Sequence, residues 1–152
     1  MNPLENDVLR RLFDELDRAL EKLKDLSRLS KNELLEHYGN IDAAKYNFIV
    51  AIGAGIDICN RIIAKENFGY PQEYSEVIKL MGERKVLDED LVARWVEMVK
   101  FRNLLVHLYW KVENEKLYDY LKNNLGDFEE FKSSIRNYLK GRKAEDLKQR
   151  AE

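Results

Sequence analysis

Residues 88–110 read DEDLVARWVEMVKFRNLLVHLYW, and the spacing within them decides how the chain folds. The acidic start suits the positive end of a helix dipole, and about six turns follow with no Gly or Pro to interrupt them. Val92, Trp95, Val99, Arg102, Val106 and Tyr109 step by 3, 4, 3, 4 and 3, a heptad seam for packing against another helix. One seam position is therefore an arginine. At ~100° per residue, Asn103 and His107 lie about 100° and 140° from Arg102, while Leu104, Leu105 and Leu108 fall on the opposite side. Apolar residues on both sides make this a central helix of a bundle. Arg102, Asn103 and His107 then lie on or beside a contact surface, where an unpaired polar group costs roughly 1–3 kcal/mol. A polar network that fixes helix register and a functional site both fit that placement.

A chain of 152 residues with 36% charged and 45% hydrophobic residues, two Pro and seven Gly, has the composition of a single all-α domain. The expected architecture is an up-and-down bundle of four to five main helices plus short ones, over residues 1–140, with a charged tail at 141–152 that frays. A net charge of −2 gives no global basic field, so nucleic-acid binding needs a local patch. The lone Cys59 lies in an apolar run and reads as a buried small hydrophobe. Acidic residues break up the N-terminal segment where a signal peptide needs an apolar core, so a cytoplasmic location is expected.

Leu9, Leu12, Leu16, Ala19, Leu23 and Leu26 form a second 3–4 seam, for a bundle helix or a coiled-coil contact with another subunit. Ser30 and Glu33 fit a capping box for a short helix ending near Gly39. His37, with no second His or Cys nearby, reads as a surface histidine. Asp42 suits the cap of a core helix running to about Glu66. Its apolar run, Phe48 to Cys59, is shorter than the ~20 residues of a membrane span, so no membrane role is expected. Gly53 and Gly55 there suggest close approach of a neighbouring helix. Asp57 is the acid expected to be buried, with Arg102 as its partner. Arg61 and Lys65 follow as candidate phosphate contacts. Phe68-Gly69-Tyr70-Pro71 breaks the helix. A short helix over about 73–84 then buries Tyr74, Val77, Ile78 and Met81, another covers 117–125, and the last runs from a cap at Asp127 to about Lys140.

Glu-x-x-His pairs, zinc-spaced Cys and His, a P-loop and a G-x-S-x-G elbow are all missing, so no metal or other cofactor is expected. One imidazole and one guanidinium are left. Imidazole exchanges protons near neutral pH, and guanidinium matches phosphate oxygens. Together they are a minimal set for cleaving RNA through its own 2′-OH, with His107 moving the proton, Arg102 stabilising charge on the phosphate and Asn103 orienting the ring. About 140° separates the two on one straight helix, so two copies meeting along the seam would be needed to bring them to one phosphate.

Arg102-Asn103-Leu104-Leu105-Val106-His107-Leu108-Tyr109 resembles the R-x4-H-x-Y motif of HEPN-domain proteins, specifically HepT-like toxins. The apolar helix ending in Gly55-Ile56-Asp57-Ile58-Cys59-Asn60 and the order of helices extend the likeness over most of residues 1–140. The resemblance implies a homodimeric bundle with metal-independent endoribonuclease activity, Arg102 and His107 being catalytic in a cleft at the dimer interface. It also implies a minimal nucleotidyltransferase antitoxin as partner, which attaches nucleotide to the motif tyrosine, here Tyr109. For i and i+2 to share one side, the helix would have to loosen after His107. An alternative is a non-catalytic dimer that binds nucleotide or docks a nucleotidyltransferase.

Overall fold

The computed structural model describes residues 3–151, which form α1 (Pro3–Ser27), α2 (Lys31–Glu36), α3 (Tyr38–Glu66), α4 (Tyr74–Glu83), α5 (Glu89–His107), a 3-10 turn (Tyr109–Lys111), α6 (Asn114–Asn123) and α7 (Gly126–Ala151). No strand occurs among the described residues, and the long helices α1, α3, α5 and α7 make an all-α bundle. The α1 seam faces this chain's own core: Leu9, Leu16, Ala19 and Leu23 are buried against α3. Local chemistry sets several helix ends. Ser30 and Glu33 complete the capping box with both arms at 3.1 Å. The Asp88 carboxylate accepts the Leu91 N–H at 2.8 Å and starts α5, and Asn67, in the left-handed region at φ 58°, closes α3.

At the centre, α3 packs against α1, α2, α4, α5 and α6 and buries residues along its length from Ile41 to Ile63. Its 29 residues, with a mean hydropathy of 1.5 over an 18-residue window, are long and apolar enough to cross a membrane, contrary to the expectation from the shorter Phe48–Cys59 run. The other helices cover 61% of that window, which makes α3 the core helix of the bundle. Trp95 of α5 seats against Gly55, lies tilted against Phe131 at 4.4 Å and edge-on to Phe128 at 5.5 Å, and donates its indole N–H to the Asp127 carbonyl at 3.2 Å. One side chain thus joins α5 to both α3 and α7. Nearly two turns further on, Phe101 lies edge-on to Phe48 at 5.5 Å and stacks on Tyr120 at 4.3 Å.

The structure corrects four expectations about element ends and faces. His37 is extended (φ −117°, ψ 105°) and its carbonyl accepts the N–H groups of Asn40 and Ile41, so α3 starts at Tyr38 and Asp42 lies inside it. Asp127 lies within the first turn of α7, where it is 5% exposed and paired with Arg94. Helix α7 passes Gly141 and reaches Ala151 instead of stopping near Lys140. One glycine costs a helix only ~1 kcal/mol, and Arg142 secures the extension by binding Glu66 of α3 at 3.0 Å and Glu145 at 2.6 Å. Tyr74, expected to be buried, is 45% exposed.

The two glycines of α3 are not equivalent. A Cβ on Gly55 would stand 2.4 Å from the Trp95 ring, whereas one on Gly53 meets nothing within 4 Å. Gly55→Ala is expected to destabilise by about 1–3 kcal/mol through overpacking, and Gly53→Ala to stabilise by up to ~1 kcal/mol through helix propensity. Urea denaturation of both variants checks the opposite signs.

Candidate active site

Helix α5 ends at His107. Leu108 leaves helical geometry (φ −137°, ψ 51°) while its N–H still donates to the Leu104 carbonyl at 2.8 Å, and a single 3-10 turn follows. The helix therefore loosens where the motif reading needed it to. The loosening carries Tyr109 to α3, where its hydroxyl donates to Asp42 Oδ1 at 2.6 Å. Lys45, 6% exposed, donates to the Tyr109 carbonyl at 3.1 Å and sits 4.3 Å above its ring. Burial first, and then the hydrogen bond to Asp42, push the Tyr109 phenol up to about 12.

Arg102 is half-buried and held from two sides. Its Nη1 donates to Asn103 Oδ1 at 3.2 Å, and the guanidinium stacks 4.9 Å from the centre of the Tyr74 ring. Arg102 Nε is buried and has no partner. Asn103 thus orients Arg102, whereas the sequence reading had it orient His107. The expected Asp57–Arg102 pair is also corrected. Asp57 is exposed, and the ion pairs among the described residues do not include it with Arg102. Desolvation and then the Glu15 carboxylate raise the Asp57 carboxyl, and the field of Arg102 opposes them, so the guanidinium is felt without being bonded.

His107 is exposed and, with Asn103, lines an open cleft of about 470 Å³ whose other wall is Gln72, Glu73, Tyr74 and Ser75. That wall is the start of α4. No side chain caps this helix at Glu73, and the Glu76 carboxylate of its first turn accepts the Gln72 N–H at 2.9 Å. Arg61 and Lys65 are exposed, but they lie at the end of α3 beside Leu139 of α7 and do not line this cleft. Cys59 is fully buried and its thiol is pushed up by desolvation, which leaves it unreactive. His37 is exposed, as read from sequence. Among the described residues no group of three His, Cys, Asp or Glu comes together in a metal-binding arrangement.

Sequence reasoning missed Tyr74, Asp42 and Lys45. Asp42 and Lys45 stand three apart on one face of α3, a spacing visible in the sequence, but nothing there indicates which distant residue they meet. The Tyr109 tie should itself depend on pH. A phenol raised in the folded state contributes stability that is full below its unfolded value near ~10 and is lost as pH rises through about 12. The stability difference between wild type and Tyr109→Phe is expected to be largest below pH ~10 and to shrink above it, as read by denaturant unfolding across that range.

The family described as ribonuclease HepT-like matches residues 16–135. A curated relative, the mRNA nuclease HepT of Shewanella oneidensis, is 24% identical over 130 residues, covering 83% of this chain and 94% of the relative. The tri-AMPylated Shewanella oneidensis HEPN toxin, solved in complex with MNT antitoxin, superposes with a TM-score of 0.81 at 22% identity, over 90% of this chain and 99% of that one. The cytosolic protein YutE of Bacillus subtilis, of unknown function, gives a TM-score of 0.78 at 19% identity, over 90% of this chain and 92% of that one. At these identities the superpositions show a shared fold, and the match over residues 16–135 shows descent: the chain belongs to the ribonuclease HepT-like family.

Proposed function

We propose that the chain is the toxin of a toxin–antitoxin pair and a cytoplasmic, metal-independent endoribonuclease whose site is shared between two protomers. The observation that carries this reading is Arg102. A half-buried guanidinium held in one orientation by Asn103 and Tyr74 is suited to an anion, and the exposed imidazole of His107 lies five residues on. In this reading His107 takes the 2′-OH proton or returns one to the leaving oxygen, while Arg102 stabilises the charge that builds on the phosphorus-bound oxygens.

The same geometry supports a dimer. Arg102 and His107 diverge by about 140° on α5, so a phosphate reached by both takes one group from each protomer. Val106, 43% exposed between them, and Trp110, 75% exposed just beyond, offer apolar surface for the second copy. A relative's structure with MNT antitoxin supports a nucleotidyltransferase partner, and that relative is AMPylated; in this chain we assign the modification to Tyr109 from its place in the motif. Asp57 would tune the field at Arg102, and Arg61 with Lys65 would contact only RNA extending along α3.

His107→Ala is expected to lower RNA cleavage by about 10²–10⁴-fold, and Arg102→Ala by about 10²-fold or more, both measured in the presence of chelator. Mixing the two inactive variants should restore cleavage, because a mixed dimer rebuilds one composite site. A chain that binds RNA or nucleotide tightly but leaves RNA intact, or that cleaves only with added divalent metal, would overturn the reading.

A further inference from the structure

The bond from Tyr109 to Asp42 joins residues 67 apart in sequence and involves a carboxylate that faces solvent. A phenol is a weak nucleophile until its proton is removed, and a base must stand within about 2.6–3.2 Å to take it. Asp42 Oδ1 stands at 2.6 Å. Burial and the bond to Asp42 hold the phenol up at about 12, so free phenolate is scarce near neutral pH and attack needs a local base. Lys45 fixes the acceptor: buried, it bonds the Tyr109 carbonyl and covers the ring. The charged groups facing the phenol are thus Asp42 and Lys45, both from α3.

We propose that Asp42 is the general base for transfer of a nucleotidyl group to Tyr109, an inference that rests on reading Tyr109 as the modified residue. The phenolic oxygen attacks the α-phosphorus of a nucleoside triphosphate held by the partner transferase. The new oxygen–phosphorus bond forms as the bond to the bridging oxygen of the β-phosphate breaks, and pyrophosphate leaves with that electron pair. The phenol proton passes to Asp42 Oδ1 and from there to water. The esterified oxygen has no proton left to donate, so the bond to Asp42 does not re-form.

The test incubates the full chain and its partner nucleotidyltransferase with ATP labelled at the α-phosphate and follows label on Tyr109 by mass spectrometry from pH 6 to 9. Asp42→Asn keeps an acceptor for the hydroxyl but removes the basic group. It is expected to slow labelling at least tenfold at pH 7 and to give a rate that climbs with pH where that of wild type is level. Asp42→Glu should recover part of the rate, and Tyr109→Phe should take no label. An Asp42→Asn chain labelled as fast as wild type, with the same pH profile, would overturn the base and leave the modification reading standing. A wild-type chain labelled elsewhere, or not at all, would overturn that reading and the base with it.

Discussion

The contact between the Trp95 ring and Gly55 sets the rotation of α5, and every site residue on that helix takes its position from it. The outer edge of the indole can close on α3 because no Cβ stands there, and its N–H finds the Asp127 carbonyl. Burying a side chain of this size removes roughly 150–250 Å² from water, worth about 4–6 kcal/mol before entropy is counted. Leaving Arg102 Nε without a partner costs roughly 1–3 kcal/mol. The packing term is the larger, so α5 keeps this rotation although it strands a donor. With Trp95, Met98, Val99, Phe101 and Leu105 turned inward, Arg102, Asn103 and His107 fall at the edge of the bundle.

Periodicity carried the fold well. The 3–4 steps of α1 became a buried stripe, the capping box and Asp88 start their helices, and the apolar run around Phe48 is the middle of the core helix. The α5 seam was legible as a stripe but not as two surfaces. Trp95 and Val99 close this chain's own core while Val106 is exposed, because spacing shows that residues share a face and is silent about what covers it. Asp57 misled for a related reason: an apolar neighbourhood in sequence is not an apolar neighbourhood in space, and its edge of α3 meets the field of Glu15.

In the candidate site, Arg102, Asn103, His107 and Tyr109 were marked in the sequence as candidates, and so was the break after His107. Their partners were not. Tyr74 lies on a separate helix, and Asp42 and Lys45 lie more than sixty residues before the tyrosine they hold. No local rule of helix spacing reaches across such separations. These long-range contacts exist because α4 and α3 both pack against α5.

The joint at Leu108 links the proposed chemistry to its proposed control. Had α5 continued as a helix, Tyr109 would point about 160° from His107 and its modification would be remote from the imidazole. The break ties the tyrosine to α3 instead, while its Cα stays within about 7 Å of that of His107, as for any residues two apart. A phosphodiester added there brings a negative charge well inside the ~8 Å screening length of physiological salt, into the space an RNA phosphate would have to enter. Two unit charges ~4 Å apart repel by about 1 kcal/mol even in bulk water and by several times that beside a protein surface, and each further nucleotide adds bulk to the charge. In the proposed reading, inactivation then needs no rearrangement of the bundle: the core set by Trp95 and Gly55 stays as it is, and the added group excludes RNA by charge and volume at the place where it is attached.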